Sequence, residues 1–386
     1  MSKLLFVTQY PFYPDISGGS ELSTLYLLKS LCQMDWQVEV ICTRKLPYTN
    51  ELRRPYFWES CWQSLMRLSR RFGVLRDKVP VVMDEELGYP CWRVITPSRF
   101  PHECRQSEFF AQRLREYQPD VVVGQRSETY PLLKYSASQG YLALCFVRDL
   151  AGDESDDYTI TADGVKLIVN SPFLASIVNL INDQAPEVIL PFIDVESYRV
   201  SNHKRKYITF INPIPEKGLD IAIEVARQLP HEKFLFVKGK WGCYDQDTLL
   251  KQVYRLPNVE IWENQQDMRH VYAVTDILLV PSQFLETFGR VIIEAQVNSI
   301  PVVAANVGGI PYTLGKGGIL IEPADQPQVY VDALLRLRNE DKFYEKLSEL
   351  SFQNSQRPEF DAHYQVKKFV QFVKNNIQGK QLSIGE

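Results

Sequence analysis

Short apolar runs alternate with amphipathic stretches along most of the chain. LLFVT (4–8) is followed by a segment from Ser20 to Met34 in which Leu22, Leu25, Leu28 and Leu31 recur about every three residues, and then by VEVICT (38–43). VVVG (121–124), LALCFV (142–147), KLIVN (166–170) and EVILP (187–191) are continuously apolar rather than alternating. Strands of that kind are covered on both faces, and with helices between them they predict a parallel, doubly wound sheet. The basic stretch SNHKRK (201–206) breaks the pattern and predicts a linker. The alternation then restarts with YITFIN (207–212), FLFVKG (234–239), VEIW (259–262), DILLVPS (276–282), PVVAA (301–305) and GILIEP (318–323), with helices near 218–228 and 247–254. Two α/β series of similar size predict two facing Rossmann-like domains, 1–198 and 199–360, with a cleft between them. Helices near 340–350 and 361–376 close the chain, and a C-terminal helix over 361–380 can pack back on the first domain.

Residues 46–90 resist this scheme. Between Arg44 and Lys78 there are nine Lys/Arg against three acids, with Trp58, Trp62, Leu65, Met66 and Leu68 interleaved. A helical insertion packed on its own domain accounts for this. A basic, aromatic helix also suits an anionic membrane surface, so peripheral membrane contact through 46–90 is a second reading.

Composition narrows the class. With 45% hydrophobic and 23% charged residues, the 386-residue chain is globular in character, and a formal net charge of -4 argues against bulk nucleic-acid binding. No apolar run is long enough to span a bilayer, and the first one, ending before Gln9 and Pro11, is too short for a signal-peptide core. Seven widely spaced cysteines with no CxxC pair argue against a disulfide framework or structural zinc and favour a reducing cytoplasm.

The most informative stretch is PSQFLETFGRVIIEAQVNSIPVVAANVGGIP (281–311). A strand ends at Pro281, a loop carries Glu286, and Phe288-Gly289 opens a helix containing Glu294. The free amides of that start, at Phe288, Gly289, Arg290 and Val291, favour an anion such as a phosphate. Glu294 suits a ribose diol, because a carboxylate accepts two hydroxyl hydrogen bonds, and Glu286 suits hydroxyls of a second polyol. In PIPEKGLD (213–220) a lysine precedes a glycine at a strand-to-helix turn, which aims Lys217 at the same cleft. PDISGGSEL (14–22) brings the amides of Gly18 and Gly19 within reach of a phosphate or a reacting oxygen. It is not a GxGxxG fingerprint, which lowers the prospect of a dinucleotide oxidoreductase.

Within the frame PS-x3-E-x-F-G-x4-E-A, followed by PVVA and GG-I-P, the chain resembles the retaining glycosyltransferases of family 4, which have the GT-B fold. The resemblance implies a metal-independent hexosyltransferase without cofactor. Its donor would be a nucleoside diphosphate sugar, UDP-glucose or a related UDP-hexose first among them, and its acceptor a saccharide or lipid-linked saccharide in polysaccharide or glycoconjugate synthesis. The domain 1–198 would bind the acceptor and 199–360 the nucleotide sugar, on the cytoplasmic side, with peripheral attachment to the inner membrane face as a further expectation. Glu286, Lys217 and Arg148 become the candidate catalytic residues; Glu294, Gly289, Phe288, Arg290, Val291, Asn212, Gly19 and Gly18 the donor-binding ones.

Three positions depart from the family pattern. Asn212 stands where a phosphate-binding arginine is usual, so one positive charge is missing. Arg148-Asp149 replaces a histidine–aspartate pair placed to contact the donor sugar. An arginine cannot act as a general base near neutral pH, but it can bind a sugar hydroxyl, a carboxylated sugar or phosphate. Tyr312 stands where an acid often follows GG-I-P. These departures keep two alternatives open, a nucleotide-sugar epimerase of the same fold and a non-catalytic sugar-nucleotide or polysaccharide-binding protein. DESDD (153–157) has the composition of a Mg²⁺ site but reads better as a solvated loop.

Overall fold

The computed structural model describes residues 1–15, 18–45, 81–96, 103–149, 164–181, 185–239 and 245–383. Most of the 46–90 insertion and the DESDD loop lie outside them.

The first lobe is an eight-stranded sheet of β1 (Lys3–Val7), β2 (Gln37–Lys45), β3 (Val81–Asp84), β4 (Cys91–Thr96), β5 (Val121–Gln125), β6 (Leu142–Val147), β7 (Val165–Val169) and β8 (Glu187–Val188), in the order β3-β4-β2-β1-β5-β6-β7-β8. All neighbours run parallel except β3, which pairs antiparallel with β4 at one edge. Helices α1 (Gly19–Gln33), α2 (Glu103–Tyr117), α3 (Tyr130–Ser138) and α4 (Pro172–Ile181) connect and cover it. The second lobe has six parallel strands, β9 (Tyr207–Ile211), β10 (Phe234–Val237), β11 (Val259–Trp262), β12 (Thr275–Val280), β13 (Val302–Ala305) and β14 (Gly318–Ile321), in the order β11-β10-β9-β12-β13-β14. With it go α5 (Leu219–Gln228), α6 (Gln246–Leu249), α7 (Arg269–Val274), α8 (Arg290–Gln296), α9 (Ile310–Leu314), α10 (Pro327–Asn339), α11 (Asp341–Ser355) and α12 (Ala362–Ser383). This is the GT-B arrangement: two doubly wound sheets facing one cleft.

The continuous apolar character of the strands has the expected cause. Every residue of β5, β6 and β12 is buried, so neither face alternates with water. Three details differ from the sequence pattern. EVILP forms only the two-residue β8, because the next free amide, Leu190 N, is taken by Gln365 Oε1 at 3.0 Å. The helix near 247–254 is a short α6 followed by a 3₁₀ segment, Leu250–Arg255. The basic stretch 201–206 is no loose tether: Lys204 N and Lys206 N bond Ala273 O and Val274 O at 2.7 and 2.8 Å, at the end of α7.

Helix α12 leaves the second lobe and packs on the first. Val366, Phe369, Val370 and Val373 join the core formed by β1, β6 and α1. The Phe369 ring stacks on Phe146 with centroids 6.0 Å apart and meets Phe192 edge-on at 6.5 Å. Lys368 reinforces the seat with a 2.6 Å bond to Val188 O. A Phe369→Ala variant removes a fully buried ring, and urea denaturation is expected to show a loss of about 3–5 kcal/mol; a loss below 1 kcal/mol would mean that the helix is not anchored this way. Among the described residues, no helix is long and apolar enough to cross a membrane.

Candidate functional site

Open α/β sheets bind ligands beyond the carboxyl ends of their strands, where the strand order reverses. In the second sheet that point lies between β9 and β12, which are far apart in sequence (β9 ends at Ile211, β12 begins at Thr275) yet pair through Leu278 with Thr209 and Leu279 with Phe210. Lys217 follows β9 and Glu286 follows β12, so topology alone brings them to one place. Lys217 Nζ donates to Glu286 Oε2, and the ammonium sits 4.6 Å from the centroid of the Phe284 ring. Both side chains keep partial access to solvent, 23% and 16%.

The loops carrying this pair are fastened together. Gly218 has φ +85, and a Cβ there would lie 1.9 Å from Pro281 O, so only glycine lets the first loop lie against the end of β12. Gln283 N then donates to Glu216 O at 2.9 Å. From the other side the Gly308-Gly309 turn supports Glu286: Gly309 N donates to Glu286 O at 2.6 Å, and Gly308 has φ +57 with space for no Cβ.

Glu294 is buried, on α8. Tyr272 Oη donates to its Oε2 at 2.8 Å, and Arg290 Nε approaches Oε1 at 3.4 Å. Tyr198 completes the knot through a 3.2 Å bond from Arg290 Nη2. The Glu294 charge and burial push the Tyr198 hydroxyl up to about 12, and burial with the same charge raises Tyr272 well above its ordinary value. Both phenols therefore stay protonated. Arg290 Nη1 also crosses the cleft to Gly19 O at 2.6 Å. The other predicted positions are arranged differently. Gly289 caps α8 at φ +83, Val291 lies on its first turn, and the Phe288 side chain joins Leu190, Ile193, Ile293 and Phe360 in a core at the lobe junction. Asn212 has φ +60 and accepts from Gln246 Nε2 at 3.2 Å, a fixed post beside Gly239 rather than a substitute cation. Tyr312 lies under Arg357, 4.8 Å from its guanidinium.

The first lobe presents the ends of β1, β5 and β6 and the start of α1. Arg148 Nη1 donates to Ser20 O, to Thr24 Oγ1 at 2.9 Å and to Gln125 Oε1 at 3.4 Å, with the guanidinium 4.5 Å above the Phe146 ring. Burial pushes its pKa down to about 10. Arg126 pairs with the buried Glu21 at 3.1 Å and lies over Tyr10, whose hydroxyl bonds Glu128. The lobes meet here: Thr287 Oγ1 donates to Arg148 O at 2.6 Å, and Asn170 Nδ2 donates to the same oxygen at 3.0 Å. Thr287, Tyr198, Tyr272, Arg126 and Glu21 were not singled out in the sequence; Thr287 had a signal in its position inside the Glu286–Gly289 frame, and Glu21 in its place within PDISGGSEL. Among the described residues no group of three or more His, Cys, Asp or Glu could hold a metal.

Comparison with known proteins bears on the family and the fold. Residues 196–353, less than half of the chain, match the family described as glycosyl transferases group 1. The match corrects the resemblance to family 4: it is to this broader group, not specifically to that family. A D-inositol 3-phosphate glycosyltransferase of Mycobacterium marinum is 28% identical over 201 residues, 44% of this chain and 42% of the relative. A sulfoquinovosyl transferase of Arabidopsis thaliana is 36% identical over 116 residues, 28% of this chain and 22% of that protein. The matched region thus spans less than half the length of these curated relatives. Among solved structures, a sucrose-phosphate synthase from Thermosynechococcus elongatus superposes with a TM-score of 0.76 at 16% identity, covering 98% of this chain and 100% of that one. The Anabaena protein HepE in complex with UDP-glucose does so with a TM-score of 0.71 at 19% identity, covering 97% and 100%. At these identities the likeness establishes the fold.

Proposed function

We propose that the protein transfers a hexosyl unit from a nucleoside diphosphate sugar, with a UDP-hexose such as UDP-glucose as the first choice, to a saccharide or lipid-linked acceptor. The observation that carries this reading is the Lys217–Glu286 pair, held at the switch point of the second sheet by Gly218 and the Gly308-Gly309 turn. In this reading Lys217 neutralises the departing diphosphate and Glu286 orients hydroxyls of the transferred sugar. Glu294 faces the nucleoside, with Tyr272 and Arg290 fixing the carboxylate. The bond from the anomeric carbon to the phosphate oxygen breaks, the acceptor oxygen bonds the same face of that carbon, and its proton passes to the departing phosphate. Configuration at the anomeric carbon is then retained. The complex of HepE with UDP-glucose supports the donor class by fold analogy.

Thermal denaturation with UDP-, GDP- and ADP-sugars tests the proposal. At a hundredfold excess over Kd a donor stabilises the native state by about 2.7 kcal/mol, enough to raise Tm by several degrees. No shift with any of them would overturn the reading. With the donor in hand, an NMR coupling constant of the product's anomeric proton checks retention.

A further inference from the structure

Among the described residues, Lys217, Arg126, Arg290 and Arg148 stand at the cleft, and the first three each touch a carboxylate: Lys217 on Glu286, Arg126 on Glu21 and Arg290 on Glu294. Arg148 is different. Its hydrogen bonds go only to neutral oxygens, all leave from Nη1, and among the described residues no acid stands within ion-pair distance. Its Nη2 and Nε make no bond among those residues. Burial lowers its pKa, with the Arg290 and Arg126 charges adding to the effect and the more distant Glu21 and Asp149 carboxylates only partly offsetting it. A partly buried cation with no acid beside it among those residues is costly unless another group supplies the opposite charge.

The position of Arg148 narrows what that ligand is. Arg148 follows β6 on the first lobe: its backbone oxygen accepts from Thr287, the residue after Glu286, and its guanidinium bonds Ser20 O, next to the Gly19 that Arg290 reaches across the cleft, while Lys217 and Glu286 belong to the second-lobe wall. Anything held between these walls is the transferred sugar or the acceptor ring beside it. In the transfer reading the diphosphate lies on the second lobe, against Lys217. We propose that Arg148 pairs with a carboxylate on a sugar ring in the cleft, so that the protein handles a hexuronic acid, either as the transferred unit or as the acceptor terminus. This rests on the transfer reading above and adds the class of sugar. The planar guanidinium suits it, since Nη2 and Nε can take both oxygens of a carboxylate while Nη1 stays anchored.

The test measures affinities of the whole protein by calorimetry for UDP-glucuronate against UDP-glucose and for GDP-mannuronate against GDP-mannose, in wild type, Arg148→Gln and Arg148→Lys. A donor-borne carboxylate gives wild type a preference of about tenfold or more for one uronate over its neutral partner. Arg148→Gln then brings the ratio towards one, and Arg148→Lys recovers part of it. An acceptor-borne carboxylate instead leaves the donors equal, while a glucuronate-terminated oligosaccharide binds the UDP-loaded wild type at least tenfold better than its glucose-terminated counterpart. If nucleotide sugars bind and neither comparison discriminates, the inference is wrong and the transfer reading stands; the same holds if Arg148→Gln weakens UDP, neutral and acidic donors equally. If no nucleotide sugar binds at all, both fall. The wild-type comparison needs no variant, so a misfolded substitution cannot hide the answer.

Discussion

Replacing Lys217 by alanine is expected to lower turnover by about 10²–10³-fold and to weaken donor binding as well, in steady-state assays with the nucleotide sugar that gives the largest thermal shift. Two effects act in the same direction. The departing diphosphate loses the ammonium group that neutralises it, and Glu286 loses its partner at a site only 16% exposed. An unpaired carboxylate there repels the incoming diphosphate. Stability should change little by comparison, because a partly exposed ion pair is worth about 1 kcal/mol or less. A Tm within a few degrees of wild type, with activity nearly abolished, is the expected combination. Wild-type turnover would remove Lys217 from the mechanism, and with it the central element of the proposed function.

Gly308→Ala should have the second-largest effect, and on both readouts. A Cβ at this position would lie 2.3 Å from Glu286 O and 3.0 Å from Glu286 N, which are backbone atoms that cannot swing aside. The left-handed backbone at φ +57 adds a strain of about 1–2 kcal/mol, and overpacking adds about 1–3 kcal/mol. Relief comes only by moving the Glu286 loop, and a displacement of about 1 Å at the reacting centre costs about 10² in rate. Gly88→Ala is the control. It has φ +87 but open space around the Cβ, so it carries the strain alone, far from the cleft. Equal loss of activity in the two variants would show that Gly308 acts through general stability rather than through Glu286.

Much of the fold was legible because burial writes itself into composition. Strands covered on both faces cannot alternate, so VVVG and LALCFV announced a parallel sheet before any coordinate. The site was legible where chemistry is local in sequence, as with Lys217 before Gly218 or Glu286 eight residues before Glu294. What stayed hidden lies between distant positions. Arg290 reaches Gly19 across 271 residues, and Tyr272 finds Glu294 only because α7 and α8 flank the same strand. Asn212 shows a subtler limit. Its type signals a missing cation, but nothing in the sequence reveals that its left-handed backbone and its bond to Gln246 commit it to a structural post. The group 1 match, broader than the family read from the motif frame, shows the same pattern: short motifs define a superfamily more securely than a branch of it.

The return of α12 to the first lobe has a consequence for how the molecule can be divided. Val366, Phe369, Val370 and Val373 fill a hollow whose other walls come from the opening half of the polypeptide. A fragment ending at residue 198 would leave Phe146 and Phe192 facing water where the Phe369 ring belongs. The smallest self-sufficient version of that lobe is therefore discontinuous, two stretches with the entire partner lobe spliced between them, and a single cut yields only one half that can stand alone.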